Sequence, residues 1–358
     1  MSETTLYSSS KHLPVLDGVR GFAVFLVVVF HFYGIGFGWL GVDLFFVLSG
    51  FLITGILVDS KEKPHFFRNF YARRTLRIFP LYYFALIVFF ILIALNIHQL
   101  KDPHFYTQHA AWYLLYIQNW LYAWKDWPRD GVLNHFWSLA IEEQFYLFWP
   151  LLVYFLPTRK LLTTCIILIA VSVMSRYLVW YQGADDTPVQ FVATICRLDG
   201  LAIGASIALL IRHNPQWLMR SCKWIFIITI PVIISLYLLA KTIKYDSVYY
   251  MTAGFTFFDL FWGGILISCF LPEFNLSRRF FSSKWLTWLG KYSYGIYVYH
   301  WIIYQMCWPW FRVAAGNVVI ADVRYIYGTL CLAATLLISI ASYRFLEQPV
   351  LSLKKRFS

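Results

Sequence analysis

The stretch LDGVRGFAVFLVVVFHF, Leu16 to Phe32, is almost purely apolar and yet carries Arg20 and His31. A run of that character reads as a membrane-crossing helix. A charged side chain at the centre of such a helix costs about 2.5–3.5 kcal/mol on insertion scales, so polar residues there face a cavity or a partner. Arg20 and His31 are eleven positions apart. At about 100° per residue that is three turns plus roughly 20°, which puts both side chains on nearly one face, with Cα atoms ~16 Å apart along the axis. Arg20 then lies near one edge of the bilayer and His31 well inside it. A histidine in that place either glues the bundle to a neighbouring helix or does chemistry along a pathway.

Further apolar runs of similar length follow. With 60% hydrophobic, 21% aromatic and only 13% charged residues, the chain departs from soluble domains, where about 25% of residues are charged. Nothing alternates with period two, which argues against an outer-membrane barrel. The fold class expected is an all-α polytopic membrane protein of about ten transmembrane helices, at roughly 19–37, 40–58, 79–97, 136–156, 161–181, 191–211, 224–241, 250–271, 287–310 and 323–346. Residues 1–15 read as a short polar tail, and GIGFGWLG as a glycine-rich turn. The aromatic stretch WYLLYIQNWLYAW within 98–135 is short and loaded with Tyr and Trp, so it reads as an interfacial or re-entrant helix rather than a span. No repeat, linker or separate soluble domain stands out, and residues 1–358 read as one integral-membrane domain.

Charge sets the orientation. With ten spans and both termini in the cytoplasm, 21 of the 30 Lys and Arg fall on the inner side and 7 on the outer, with Arg176 and Arg197 inside spans. Counting the aromatic stretch as a span would put Arg278, Arg279, Lys284 and the basic tail outside, against the positive-inside rule. The same rule accounts for the net charge of +12 without nucleic acid as a partner. The six cysteines have no paired spacing, so neither a metal motif nor a disulfide framework is expected. No cleavable signal peptide is visible, because the first apolar run carries Arg20 and His31 and leads directly into a second.

Other polar groups accompany this pair. In FYARRTLRIFP, Arg73, Arg74 and Arg77 stand at i, i+1 and i+4 at the inner edge, beside Arg20. Such a cluster can anchor topology or hold lipid phosphate, and it also has the guanidinium forks a polyphosphate ligand needs. Asp43 begins the second span as a cap, a dipole partner or a support for the site. In NHFWSLAIEEQFYLFWP, the spacing places His135, Ser138, Glu142 and Tyr146 on one face. One of Glu142 and Glu143 must point inward, either paired with an arginine or orienting a base or hydroxyl substrate. Arg197 and Asp199 read as a structural ion pair. Ser293, Ile296 and His300 share a face, so His300 either lines a cavity or is satisfied structurally. Glu347 is placed to bond inner-edge basic residues.

Taken together and in this order, LDGVRGFAVFLVVVFHF, GVDLFFVLSGFLI, FYARRTLRIFPLYY, HFWSLAIEEQFYLFWPLL, RLDGLAIGA, LGKYSYGIYVYH and YRFLEQP resemble the membrane-bound acyltransferase-3 family. They cover nearly the whole chain. The family's Arg-x10-His pattern falls on Arg20 and His31, and its Arg-x-x-Arg pattern on Arg74 and Arg77. The resemblance implies transfer of an acyl group, usually acetyl, from cytoplasmic acyl-CoA to a hydroxyl of a cell-envelope carbohydrate, in the inner (cytoplasmic) membrane. Some members carry an extracytoplasmic hydrolase-like domain; this sequence shows none, so it is expected to act alone or with a separate partner. Other members modify small molecules, antibiotics or lipids, which leaves the acceptor open, as it leaves a homodimer open.

Residue chemistry agrees with a division of labour. Arg20, Arg73, Arg74 and Arg77 sit where the phosphates of an acyl-CoA such as acetyl-CoA would lie, and the pantetheine arm could present its thioester near His31. Histidine is suited to general-base work at neutral pH, and His31 could deprotonate the acceptor or carry the acyl group itself. Glu142 is the candidate for polarising His31 or holding the acceptor, with Asp43, His135, Ser138, Glu143 and His300 in support. No metal is expected. The rival is a multi-spanning transporter or flippase of a small anionic or glycan substrate, which ten spans and embedded ionisable residues also fit. A second rival, a non-catalytic scaffold, would not need Arg20 and His31 on one face.

Overall fold

A computed structural model describes residues 13–96, 100–183, 188–242, 244–315 and 320–357, leaving most of the predicted polar tail outside. Among the described residues the chain is helical throughout, with no strand. Eight helical stretches are long and apolar enough to cross a membrane, which makes this a multi-pass membrane protein.

The first helix, α1 (Pro14–Tyr33), begins and ends earlier than the apolar run alone predicts. Proline is favoured at a helix start because its missing N–H is not needed there. The stop comes from Gly34, whose φ of +70° reverses the chain while its N–H caps the Phe30 carbonyl. A single 3-10 turn (Gly36–Trp39) leads into α2 (Leu40–Ser60). Helix α3 (Phe66–Ala94) starts 13 residues before the predicted boundary at 79, so the arginine cluster lies within it and Pro80 is interior. A membrane helix tolerates such a proline because neighbours and local adjustment take up the freed carbonyl.

Three short helices follow, α4 (Pro103–Gln108), α5 (Ala110–Leu114) and α6 (Gln118–Lys125). Each is too short to span, in keeping with an interfacial segment. Then come α7 (Trp137–Phe155), α8 (Thr158–Tyr181), the single turn α9 (Val189–Val192), α10 (Thr194–His213) and α11 (Pro215–Ala240). A π turn (Tyr250–Gly254) opens α12 (Phe255–Ser268). The chain closes with α13 (Asn275–Phe281), α14 (Lys284–Ala315), α15 (Ile320–Ser342) and, after a second π turn, α16 (Gln348–Ser352). Each of the ten stretches expected to span is largely helical. The eight stretches that meet the length and apolarity of a span exclude α7 and α14, which carry Glu142, Glu143 and a run of Tyr and Trp.

Two helix crossings position the site. Helix α1 packs along α14, and α2 along α10. Lipid offers no hydrophobic drive between helices, so close approach depends on small residues. At the second crossing a Cβ on Gly204 would sit 1.9 Å from the Val47 carbonyl, and one on Gly50 1.9 Å from that of Leu201. Only glycine fits at either position.

That crossing also encloses the buried ions. The sequence suggested that Arg197 pairs with Asp199, two residues away on α10. Their side chains point to different sides of that helix, and each finds another partner. Arg197 pairs with Asp43 on α2, and Asp199 with Arg176 on α8 at 2.8 Å. Arg176 further donates to the Thr252 carbonyl at 2.8 Å and to the Thr256 hydroxyl at 2.6 Å.

Candidate active site

The unbroken α1 does place Arg20 and His31 along one side of the bundle, and each lines a different cavity. The cavity at the Arg20 end, inner in the expected orientation, has a volume of about 100 Å³ and is walled by Arg20, Arg74, Arg77, Ser49, Ser138, Glu142, Glu143 and Tyr146, among others. The cavity at the His31 end, outer in that orientation, has a volume of about 360 Å³ and is walled by His31, Asn134, His135 and a set of aromatic rings. The outer one reaches the size of a small-molecule site. Val42 and Tyr297 line both, so these two side chains form the wall between them.

The inner cavity is basic. Arg20 is held by Asp17, one helical turn away, at 3.0 Å. The Arg74 guanidinium lies over the Tyr146 ring, 4.9 Å from its centroid, and among the described residues neither Arg74 nor Arg77 forms an ion pair. Arg73 departs from the expectation. One residue's rotation, about 100°, turns it away from the cavity that Arg74 and Arg77 line, and its side chain is exposed. The chain end after α16 packs against α3, with Arg68 over the Phe357 ring, and brings Lys354 within electrostatic reach of Arg20, Arg73, Arg74 and Arg77. Glu347 is likewise within reach of Arg77, as the sequence suggested.

Both carboxylates of α7 face the inner cavity, and Glu143 also borders a side opening toward α5 and α6. Glu142 accepts a hydrogen bond from the Ser49 hydroxyl. The expectation that Glu142 polarises His31 is not met: the wall of Val42 and Tyr297 separates them. Helical spacing put Glu142 on the same face as His135, yet His135 stands in the 3-10 turn (Asn134–Phe136) before α7 and lines the outer cavity, while Glu142, seven residues on, lines the inner one. Ser138 stays on the inner side and hydrogen-bonds the Tyr297 hydroxyl, which also donates to the His135 carbonyl at 2.9 Å.

In the outer cavity His31 meets a histidine rather than an acid. His31 Nδ1 and His300 Nε2 are 3.0 Å apart, and the Trp301 ring stands 4.5 Å from the His31 ring. His300 is fully buried and lines neither cavity; it meets the outer one through His31 and through the His135 ring, 5.1 Å away between centroids. His135 is also buried. Its Nε2 donates to the Val298 carbonyl at 3.1 Å, and its Nδ1 has no partner. The remaining wall is largely aromatic, from Phe30, Trp39, Trp127, Trp137, Phe191 and Tyr245, and among the described residues no Asp, Glu, Lys or Arg lines it. These rings come from six separate places in the chain, so the sequence held no local signal for them. Asp43 lies outside both cavities, bound to Arg197.

Chemically, the inner cavity suits a polyanion, and the outer one a neutral ligand with flat apolar faces and a hydrogen to give to His31. Among the described residues no group of His, Cys, Asp and Glu converges as metal ligands would.

A family model described as an acyltransferase domain matches residues 13–344. Among curated proteins, the peptidoglycan O-acetyltransferase OatA of Listeria monocytogenes serovar 1/2a is 31% identical over 98% of this chain and 57% of its own length. The putative peptidoglycan O-acetyltransferase YrhL of Bacillus subtilis is 29% identical over 96% of this chain and 56% of its own. The O-acetyltransferase OatA of Staphylococcus aureus is 29% identical over 96% of this chain and 58% of its own. The chain thus spans somewhat over half the length of these relatives. No solved structure matches it.

Proposed function

The chain belongs to the acyltransferase-3 family, and from that premise we propose that it is a membrane O-acyltransferase that moves an acyl group, acetyl by its relatives' names, from cytoplasmic acyl-CoA to a hydroxyl of a cell-wall glycan. The observation that carries this reading is the pair of cavities, one basic and one aromatic, that meet at Val42 and Tyr297.

Arg20, Arg74 and Arg77, with Lys354 nearby, bind the CoA phosphates at the inner edge. The pantetheine arm runs up to the wall and passes it beside Tyr297. The acceptor enters from the other side, where aromatic faces stack on a sugar ring and the described lining, which holds no Asp, Glu, Lys or Arg, favours a neutral one. His31 takes the proton of the acceptor hydroxyl, the oxygen attacks the thioester carbonyl, the C–S bond breaks, and the proton leaves with the CoA thiolate. The peptidoglycan named for the relatives in Listeria and Bacillus supplies the acceptor class. Labelled acetyl-CoA given to purified protein tests the reading. Label transferred to a soluble glycan acceptor supports it, and exchange of substrate across a vesicle with no thioester turnover refutes it.

The donor assignment makes a separate prediction. Arg74→Ala and Arg77→Ala are each expected to weaken acyl-CoA binding by ~1.5–3 kcal/mol, the worth of a charge-assisted contact, or roughly 10- to 150-fold. Arg73→Ala, exposed outside the cavity, is expected to bind as wild type. Equilibrium titration of inserted, folded protein checks it; unchanged affinity in both of the first two variants would make the cluster a topology anchor.

The orientation we propose has ten spans, α7 and α14 included, in a cytoplasmic membrane with both termini inside. It rests on the charge split. With exposed Cys307 replaced by serine, Lys63→Cys and Lys355→Cys should react with an impermeant thiol reagent only from the inner side, and Lys125→Cys only from the outer. Reaction of Lys355→Cys from outside would refute it.

A further inference from the structure

We propose that His300 is a neutral positioning residue that fixes the tautomer of His31, so that Nε2 of His31 is the atom that takes the acceptor's proton. The inference rests on His31 being the base and adds which nitrogen acts and what holds it.

The argument runs outward from a carbonyl. His300 Nδ1 lies 2.7 Å from the Tyr297 carbonyl and 3.2 Å from that of Ile296. A carbonyl can only accept, so Nδ1 of His300 carries the hydrogen. A neutral imidazole has one N–H and one lone pair, so Nε2 of His300 is an acceptor. The 3.0 Å contact to His31 Nδ1 is then a hydrogen bond only if His31 donates. His31 is therefore protonated on Nδ1, and its lone pair is on Nε2, in the residue that lines the outer cavity. Two links set the outcome at a distance: the Tyr297 backbone fixes His300, and His300 fixes His31.

The arrangement parallels the role of the acid in a Ser-His-Asp triad, which holds the histidine in one tautomer and orientation. It differs in charge. A carboxylate would also stabilise the imidazolium formed when the base takes its proton, whereas His300 is neutral, fully buried and bound to carbonyls that cannot receive a proton from it. His300 thus ends the chain of hydrogen bonds: its Nε2 lone pair holds the His31 Nδ1–H, and the acceptor's proton, taken on His31 Nε2, leaves from there with the thiolate. The Val27 carbonyl, one turn before His31, is the other backbone acceptor within its reach, and the experiment must ask whether it suffices alone.

The test has one spectroscopic and one kinetic arm. In wild-type protein carrying 15N-histidine, assigned by loss of signals in His31→Gln and His300→Gln, both residues should show a protonated Nδ1 and an unprotonated Nε2. His300→Ala should lower kcat by about 10²-fold or more, within the range general-base catalysis contributes, with the KM values for donor and acceptor unchanged. His300→Gln should recover most of that loss, because an amide oxygen can accept the His31 N–H. A wild-type His31 protonated on Nε2 overturns the proposal, as does a His300→Ala enzyme as active as His300→Gln, which would mean that Val27 suffices. If His300→Ala does not fold, the wild-type spectrum decides. An active His31→Gln would instead remove the base itself, and the spectrum would still report on the histidine pair.

Discussion

His31→Gln is expected to fold, insert and bind acyl-CoA as wild type does, and to lose acyl transfer by about 10²–10⁴-fold, the usual contribution of a general base. Glutamine is the informative replacement because it can both donate and accept a hydrogen bond. A histidine that served only to join α1 to α14 would be replaced by it with little loss. Here the joining contact, to His300, uses Nδ1, and a glutamine N–H can reproduce it. What glutamine cannot reproduce is a basic nitrogen facing the acceptor. Acyl-CoA affinity should hold because the donor cations line the other cavity, beyond Val42 and Tyr297. The measurement is transfer by purified variant at matched amounts of folded protein. Activity within a few-fold of wild type would leave His31 as bundle structure.

Along one helix the sequence was readable. Arg20 and His31 stand on α1 as their spacing requires, and Arg74 and Arg77 share a face of α3 for the same reason. What the spacing could not give is phase relative to neighbouring helices. Arg73 has as good a claim as Arg74 until α3 is turned against α7 and α14. Spacing puts Glu142 on a helical face with His135, but His135 stands in the turn before α7 and the two line different cavities. Tyr297 lies three residues before His300 on the same face of α14, a detectable pattern, but nothing local marks it as the wall between cavities. The partner of His31 is 269 positions away. Tertiary packing alone makes such pairs, and one sequence contains no trace of it. The fold was more legible than the site because hydrophobic length along the chain defines spans, whereas a site is defined by which helices touch.

Asp43→Ala is expected to cost about 3–5 kcal/mol of stability, the penalty for removing one partner of a buried ion pair. Asp43 is fully buried and bound to Arg197, itself only 1% exposed. Among the described residues the Arg197 Nε and Nη1 make no hydrogen bond, and the guanidinium is otherwise surrounded by rings, Phe255 at 3.9 Å and Phe46, Trp137 and Phe191 at 5.6–5.8 Å. Asp259, buried and within electrostatic reach of Arg197, hydrogen-bonds to none of the described residues, and a shift of its carboxylate toward Arg197 would offset part of the loss. Asp43→Asn, which keeps an oxygen acceptor for Arg197, should lose less. Replacing both partners by apolar residues, Asp43→Leu with Arg197→Met, should recover much of the loss, because two well-packed hydrophobic side chains often equal a buried pair in stability. Transfer activity per folded molecule should stay within a few-fold of wild type throughout, as Asp43 lines neither cavity. Thermal unfolding and activity of the same preparations separate the outcomes. An Asp43→Ala protein as stable as wild type but inactive would move Asp43 from the frame of the bundle into the site itself.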